Sequence, residues 1–205
     1  MKIFCVGRNY SEHAKELGNA VPQSPVIFMK PETAVLKNNS EFRYPPFTQN
    51  LHYETELVLH ICKNGKNIGE QNANLYYNQI TVGIDFTARD MQDNLKEKGL
   101  PWEKAKAFDD SAVIGKWIKL NSSILNNPIR FSLLKNKNKV QDGNSNDMIF
   151  PFNKIVSHIS EYFLLEEGDA IFTGTPAGVA ACNIGDILEG FFEEEKVFEV
   201  KIIEH

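Results

Sequence analysis

The stretch Leu51-His52-Tyr53-Glu54-Thr55-Glu56-Leu57-Val58-Leu59-His60-Ile61 predicts a β-strand that carries two carboxylates. Side chains alternate along a strand, so Glu54 and Glu56 point to the same face, roughly 6.5–7 Å apart. Like charges at this spacing repel, and a hard divalent cation that takes oxygen ligands would relieve the repulsion. Glutamates at alternate positions are also common on the solvent side of antiparallel strands, so the spacing alone leaves both interpretations open.

A third carboxylate lies at the end of the next apolar stretch. Ile80-Thr81-Val82-Gly83-Ile84-Asp85 predicts a short strand that ends at Asp85, where a helix begins. If this strand neighbours the first, the three carboxylates converge on one octahedral ion and leave positions for water and substrate. On this interpretation Glu54, Glu56 and Asp85 form a candidate site for one hard divalent cation.

Composition narrows the class of protein. The chain has 205 residues, 42% of them hydrophobic and 24% charged, which fits one globular domain over residues 1–205. A formal net charge of −5 argues against a nucleic-acid partner. The sequence has neither a signal peptide nor an apolar run of the roughly 20 residues that a membrane span needs, so we expect a cytoplasmic protein with no membrane partner. The widely spaced Cys5, Cys62 and Cys182 predict buried thiols without disulfides.

Periodicity predicts several further elements. Apolar residues at helical spacing predict a core-facing helix between Phe152 and Phe163, and a second helix over Thr87 to Lys98 with Met91 and Leu95 inward. Asn64-Gly65 is typical of a hairpin turn that would fold the acidic strand back on itself. The stretches Asp186 to Phe192 and Val197 to Ile203 predict a closing hairpin.

Six motifs occur in a fixed order along the chain: Gly7-Arg8-Asn9-Tyr10, Phe28-Met29-Lys30-Pro31, His52-Tyr53-Glu54-Thr55-Glu56-Leu57, Asp85-Phe86-Thr87-Ala88-Arg89-Asp90-Met91-Gln92, Lys106-Ala107-Phe108-Asp109, and Gly168-Asp169-Ala170-Ile171-Phe172-Thr173-Gly174-Thr175-Pro176. In these motifs the chain resembles the fumarylacetoacetate hydrolase family, in particular its short single-domain members of the acylpyruvase and oxaloacetate decarboxylase type. The resemblance implies a mostly β (α+β) fold, a rolled mixed sheet with a few peripheral helices.

His13 and Glu16 stand three residues apart in a predicted helix from Ser11 to Leu17. By spacing alone they are most simply a surface ion pair. The resemblance gives them another role, because in relatives this helix, here residues 9–18, is a mobile lid whose histidine and glutamate activate a water. It thus implies that His13 and Glu16 are catalytic, with His13 as the general base.

The resemblance also assigns roles to residues that the spacing does not single out. It implies that Lys106 is catalytic, stabilising an enolate or supplying a proton. The residues expected to contact substrate are Arg8, Tyr10, Arg89, Gln92, Thr173, Gly174 and Thr175. Lys30 and Asp90 are secondary candidates for the same site.

The function implied is a Mg²⁺- or Mn²⁺-dependent hydrolase that cleaves acylpyruvates (2,4-dioxo acids) to pyruvate and a carboxylic acid through an enolate. Oxaloacetate decarboxylation or tautomerisation is the second interpretation. An isomerase or decarboxylase of the 2-hydroxyhepta-2,4-diene-1,7-dioate type is the third. Outside the enzymes, a non-catalytic dicarboxylate binder would need only the three carboxylates and an anion pocket. Relatives are homodimers, so the resemblance also implies a homodimer.

Overall fold

A computed structural model of the chain describes residues 1–11, 22–37 and 41–205. Strands predominate, and the helices are few and short, as the sequence predicted. The strands are β1 Ile3–Gly7, β2 Val26–Lys30, β3 Glu41–Arg43, β4 Leu51–Tyr53, β5 Thr55–Ile61, β6 Tyr77–Asp85, β7 Thr87–Ala88, β8 Ala112–Ile114, β9 Ile118–Lys119, β10 Arg130–Lys135, β11 Asn138–Asn144, β12 Ala170–Phe172, β13 Ala180–Ala181, β14 Ile187–Phe192 and β15 Glu195–Ile203. The α-helices are α1 Arg89–Glu97, α2 Glu103–Lys106, α3 Ser122–Leu125 and α4 Phe152–Tyr162, and 3-10 turns cover Glu32–Ala34, Glu70–Leu75 and Ser145–Asp147.

A seven-stranded mixed sheet runs in the order β2-β1-β12-β5-β6-β8, and β9 also pairs with β6. Its strands are rich in Val, Ile, Leu and Phe, and most of these side chains are buried. Strand β1 is parallel to β12, whereas β5 is antiparallel to both of its neighbours. The expected pairing of the two acid-bearing strands is therefore present as β5 against β6.

The continuous strand predicted over Leu51 to Ile61 is divided at Glu54. Strand β4 pairs with β13 and β7 in a separate three-stranded sheet, while β5 pairs with β6 and β12. The chain thus passes from one sheet to another at Glu54. Glu54 and Glu56 therefore do not share the one strand that the sequence predicted, although their carboxylate oxygens still lie close together.

The predicted Asn64-Gly65 hairpin is wrong. Strands β5 and β6 are antiparallel neighbours, but residues 62–76, including the 3-10 turn Glu70–Leu75, connect them. Gly65 instead pairs with Leu165, and the Asn64 side chain accepts a hydrogen bond from the Glu167 amide. The Asn-Gly pair is used to attach this loop to the segment before β12.

A five-stranded sheet, β11-β10-β14-β15-β3, packs against the first and contains the predicted closing hairpin β14–β15. Helix α4 buries Ile155, Val156 and Ile159, which confirms the core-facing helix. All three cysteines are free, and Cys5 and Cys182 are buried. No helix among residues 1–11, 22–37 and 41–205 is long and apolar enough to cross a bilayer.

Gly83 lies opposite Glu56 in the β5–β6 register, and a Cβ there would lie 2.4 Å from the Val113 carbonyl oxygen and 2.8 Å from Val58 Cγ2. We expect Gly83→Ala to lower the free energy of unfolding by about 1–3 kcal/mol, because overpacking displaces backbone as well as side chains. Chemical denaturation measures this loss. Gly7→Ala is the control, since the atom nearest to a Cβ at that position would be 3.8 Å away; equal stabilities of the two variants would contradict the prediction.

Candidate metal and substrate site

The three carboxylates converge where strands β5 and β6 reach the break in the sheet. Glu54 occupies the break, Glu56 follows in β5, and Asp85 is the last residue of β6. The Asp85 amide donates a 2.8 Å hydrogen bond to the Glu54 carbonyl, which fixes the two residues side by side. One carboxylate oxygen from each acid lies within 4.8 Å of those of the others, and all three residues are buried.

Two lysines stand against this acidic group. Lys106 Nζ donates to Glu54 Oε2 and Asp85 Oδ2, each at 2.7 Å, and to Thr87 Oγ1 at 2.6 Å. Lys30 Nζ lies 2.7 Å from Asp85 Oδ1, an ion pair without hydrogen-bond alignment. Burial alone would lower the pKa of Lys106, but the charges of Asp85 and Glu54 outweigh it and raise the pKa above the ordinary value. Lys106 is therefore held as an ammonium.

Glu56 has a different environment from the other two acids. Within the described part of the chain no lysine or arginine forms an ion pair with it, and its Oε2 accepts a 2.6 Å hydrogen bond from the Gly174 amide. Burial, together with the charges of Asp85 and Glu54, raises the pKa of Glu56 well above its usual range. An all-oxygen donor set in which Glu56 has no paired lysine or arginine among the described residues fits a hard divalent cation such as Mg²⁺ or Mn²⁺.

Helix α1 presents a polar face to the site. Arg89 donates from one guanidinium nitrogen to Glu54 Oε1 and from another to Gln92 Oε1, and both Arg89 and Gln92 are buried. Met91 and Leu95, predicted as the inward residues, are only half-buried. The prediction was wrong because helix α1 packs its buried face on charged groups of the site and not on the apolar core. The helix also begins at Arg89, since Thr87 and Ala88 pair with β4 as strand β7.

The carboxylates open into a cleft, called here the site cleft. Its polar wall includes Arg8, Arg89, Gln92 and Thr175. Its aromatic wall is formed by Phe28 and Trp102, whose ring centroids are 6.1 Å apart in an edge-to-face contact. Lys96 also lines this cleft. The arrangement combines an oxygen-rich cation site, hydrogen-bond donors for an anion, and an apolar surface.

Comparison with known proteins identifies the family of the chain. A family model described as fumarylacetoacetate (FAA) hydrolase C-terminal matches residues 2–203. The chain belongs to the fumarylacetoacetate hydrolase family.

Individual relatives of this family are similar over most of their length. The mitochondrial oxaloacetate tautomerase fahd-1 of Caenorhabditis elegans is 39% identical over 188 residues, covering 92% of this chain and 88% of that protein. The mitochondrial oxaloacetate tautomerase FAHD1 of Arabidopsis thaliana is 42% identical over 186 residues, covering 90% and 82%. The crystal structure of fumarylpyruvate hydrolase from Pseudomonas aeruginosa with Mn²⁺ and pyruvate superimposes with a TM-score of 0.91 at 35% identity, covering 100% of this chain and 90% of that one.

Three residues that the family resemblance pointed to lie outside the site cleft. The Thr173 hydroxyl donates to the Leu57 carbonyl at 2.9 Å, because Thr173 directly follows β12 beside β5 and turns its side chain to that strand. The Tyr10 ring is buried against Phe131, with 6.4 Å between ring centroids, and does not line the cleft. Asp90 points to the loop before β4, where it accepts from Thr48 Oγ1 and the Gln49 amide.

The other expected residues fall into two groups. Arg8, Arg89, Gln92, Thr175 and Lys106 line the cleft, Gly174 contributes its amide to Glu56, and Lys30 supports Asp85 from behind. His13 and Glu16, and residues 12–18 of the expected lid, lie outside the described residues. Their roles stay predictions.

Two buried amides that the sequence did not single out brace the site. Gln141 Oε1 accepts from the Thr55 amide at 2.9 Å, and its Nε2 donates to Thr175 Oγ1 at 2.9 Å and to the Pro176 carbonyl at 3.0 Å. Asn9 donates to the carbonyls of Thr173 and Phe150. Their partners are distant in the sequence, so only tertiary pairing identifies them.

We expect Glu56→Gln to stabilise the metal-free protein and to weaken Mn²⁺ binding. Because the folded-state pKa is raised, the folded protein loses stability as pH rises from the ordinary glutamate pKa through the folded-state pKa, by about 1.4 kcal/mol for each pKa unit between them. Glutamine removes this charge. Thermal unfolding with and without Mn²⁺ measures both effects, and Glu97→Gln, at an exposed glutamate, is the control. A metal-free Glu56→Gln protein that melts below wild type at pH 8 would contradict the expectation.

We expect Gln141→Leu to weaken Mn²⁺ binding by roughly tenfold or more, because partners behind the ligands orient them. The change also leaves the Thr55 amide without its acceptor, which costs about 1–3 kcal/mol of folding free energy. Mn²⁺ affinity can be measured by electron paramagnetic resonance of the free ion. Asp142→Asn, on the next and exposed position of β11, is the control, and an unchanged affinity in folded Gln141→Leu would assign Gln141 to the fold alone.

Proposed function

We propose that this protein is a Mg²⁺- or Mn²⁺-dependent enzyme that acts on short 2-oxo acids at the carbon next to the oxo group, through their enol or enolate form. The observation that carries this proposal is the position of Lys106, whose ammonium bridges two of the three buried carboxylates at 2.7 Å inside the cleft. A divalent ion held by Glu54, Glu56 and Asp85 would supply Lewis-acid polarisation of the 2-oxo group.

The chain's own groups support such chemistry. Lys106 keeps a proton on Nζ beside the acidic group, where it can neutralise negative charge that develops on an enolate oxygen or return a proton. Gln92 is held by Arg89 and offers its amide nitrogen to a substrate oxygen in the cleft. The Phe28 and Trp102 rings limit water on the opposite side, which strengthens these electrostatic contacts.

Among reactions of this class, we propose oxaloacetate keto–enol tautomerisation as the principal activity. It requires proton transfer without an activated water. His52 is not suited to activate water at neutral pH, because burial and the Arg89 charge lower its pKa to about 4 and its Nδ1 faces the Arg89 Nε at 3.4 Å. Two relatives that are 39% and 42% identical are named for this reaction.

Hydrolysis of acylpyruvates to pyruvate and a carboxylic acid is the second candidate. A structural relative at 35% identity, named as a fumarylpyruvate hydrolase, was crystallised with Mn²⁺ and pyruvate. Cleavage requires a water-activating base, and His13 with Glu16 is the predicted pair. A cytoplasmic homodimer is the accompanying proposal for location and assembly.

The test measures ketonisation of enol-oxaloacetate and pyruvate release from oxaloacetate and acetylpyruvate, each with Mg²⁺, Mn²⁺ or chelator. We expect metal-dependent ketonisation that falls by at least about 100-fold in Lys106→Met, because removing one electrostatic stabiliser of a developing oxyanion typically has this effect. Lys104→Met, which changes an exposed lysine of the same helix, is the control and keeps wild-type activity.

Each outcome favours one reaction. Acetylpyruvate cleavage that disappears in His13→Ala would make hydrolysis the principal activity, and pyruvate from oxaloacetate alone would indicate decarboxylation. Tight Mn²⁺ binding without turnover of any of these compounds would overturn the proposed enzyme and favour a dicarboxylate-binding protein.

A further inference from the structure

Helix α1 carries a third cleft-facing residue that neither the sequence motifs nor the mechanism uses. Arg89, Gln92 and Lys96 are spaced i, i+3 and i+7, so they follow one another along a single face of the helix. All three line the site cleft. Arg89 and Gln92 lie at the carboxylates, whereas Lys96 lies one turn beyond Gln92, with its Nζ 5.7 Å from the centroid of the Trp102 ring.

Lys96 differs from Arg89, Lys30 and Lys106 because it has no carboxylate partner in the part of the chain that the structure describes. Lys30, Lys106 and Arg89 each form an ion pair with Glu54 or Asp85. Lys96 forms no ion pair with any residue in the described ranges. Burial and the neighbouring Arg89 charge lower the pKa of Lys96, because its ammonium loses hydration and faces another cation. A half-buried cation in this position gains stability from an anion that enters the cleft.

The second carboxylate of a dicarboxylic 2-oxo acid would be such an anion. A 2-oxo acid whose oxo group and adjacent carboxylate were bound at a divalent ion held by Glu54, Glu56 and Asp85 would extend the remainder of its chain along the cleft. In a dicarboxylic 2-oxo acid that remainder ends in a second carboxylate. Oxaloacetate and fumarylpyruvate, for which relatives are named, both have this form. The Phe28 and Trp102 rings provide an apolar surface for the carbons between the two charged ends.

We propose that Lys96 binds the distal carboxylate of a dicarboxylic 2-oxo acid and so makes the enzyme selective for dicarboxylic over monocarboxylic substrates. This inference rests on the proposed function and adds the substrate class to it. Lys96 is a specificity-determining residue, because the distal carboxylate takes no part in the proton transfer. The stacked Trp102 ring restrains the lysine side chain and reduces the entropy lost when the anion binds.

The test compares oxaloacetate with its 4-methyl ester, which keeps the carbon skeleton and removes the distal charge. Wild type is expected to prefer the acid in kcat/KM for ketonisation. Lys96→Gln should lower kcat/KM for the acid by about 10- to 100-fold, which is the range for loss of a hydrogen bond between charged groups. The same substitution should change kcat/KM for the ester by less than about threefold. Lys96→Arg should recover part of the preference, and Lys98→Gln, at the exposed end of the same helix, should leave it unchanged.

Binding of the acid and the ester to the Mn²⁺-loaded protein, measured by calorimetry, separates this inference from the proposed function. If wild type turns over neither compound, the proposed reaction is wrong, while the ratio of the two affinities in wild type and Lys96→Gln still decides the role of Lys96. Equal losses for acid and ester in Lys96→Gln, or an unchanged preference, would overturn the inference. Loss of the preference in Arg8→Gln but not in Lys96→Gln would assign the distal carboxylate to Arg8 and would likewise overturn it.

Discussion

Burial of three carboxylates within a few ångströms of one another is the constraint on which the rest of this structure depends. Charged groups lose hydration on burial, and the loss is offset only by close counter-charges and hydrogen bonds. Glu54 and Asp85 receive these from Lys106, Arg89 and Lys30, whereas Glu56 receives only the Gly174 amide within the described residues. The deficit at Glu56 leaves the metal-free protein destabilised at the position where a cation would add stability.

Elements from different parts of the chain hold this acidic group in place. Strand β5 and strand β6 bring the acids together, helix α1 contributes Arg89, and helix α2 contributes Lys106. Gln141 adds a connection from the second sheet, because its amide joins the backbone between the two glutamates to the Thr175 side chain. Since the Thr55 amide can only donate, the orientation of the Gln141 amide is fixed, and the Thr175 hydroxyl accepts from Nε2. The hydroxyl proton of Thr175 is then available to donate to an anion in the cleft.

The sequence was most informative where a local pattern and the tertiary structure agree. Glu54, Glu56 and Asp85 could be predicted because two acids two residues apart in one extended stretch, and a third at the end of the neighbouring strand, converge once β5 and β6 pair. Helix α4 and the β14–β15 hairpin also followed from periodicity. Helix α1 did not, since a buried polar face inverts the usual apolar pattern, and Arg89 and Gln92 become inward residues only after the site is assembled.

Residues whose role depends on orientation could not be predicted. Thr173 and Thr175 flank the same glycine, yet one hydroxyl meets the Leu57 carbonyl and the other lines the cleft. The difference arises from the pairing of β12 with β5, which the sequence does not encode locally. Gln141 was missed for a related reason, because its partners Thr55 and Thr175 are distant in the sequence, and Lys96 was missed because its helix turns a polar face to the cleft.

The close connection between the strand that ends at Asp85 and helix α1 has an evolutionary consequence. Only residues 86–88 separate the last carboxylate from the face that carries Arg89, Gln92 and Lys96. Insertion of a single residue inside the helix, between Arg89 and Lys96, would rotate the residues that follow it by about 100° and move Lys96 out of the cleft. The number of residues between Arg89 and Lys96 is therefore constrained, whereas the side chain at position 96 can change without moving the acidic group. Substrate range can diverge among related proteins by point substitution at the far end of the helix, with the acidic group left intact.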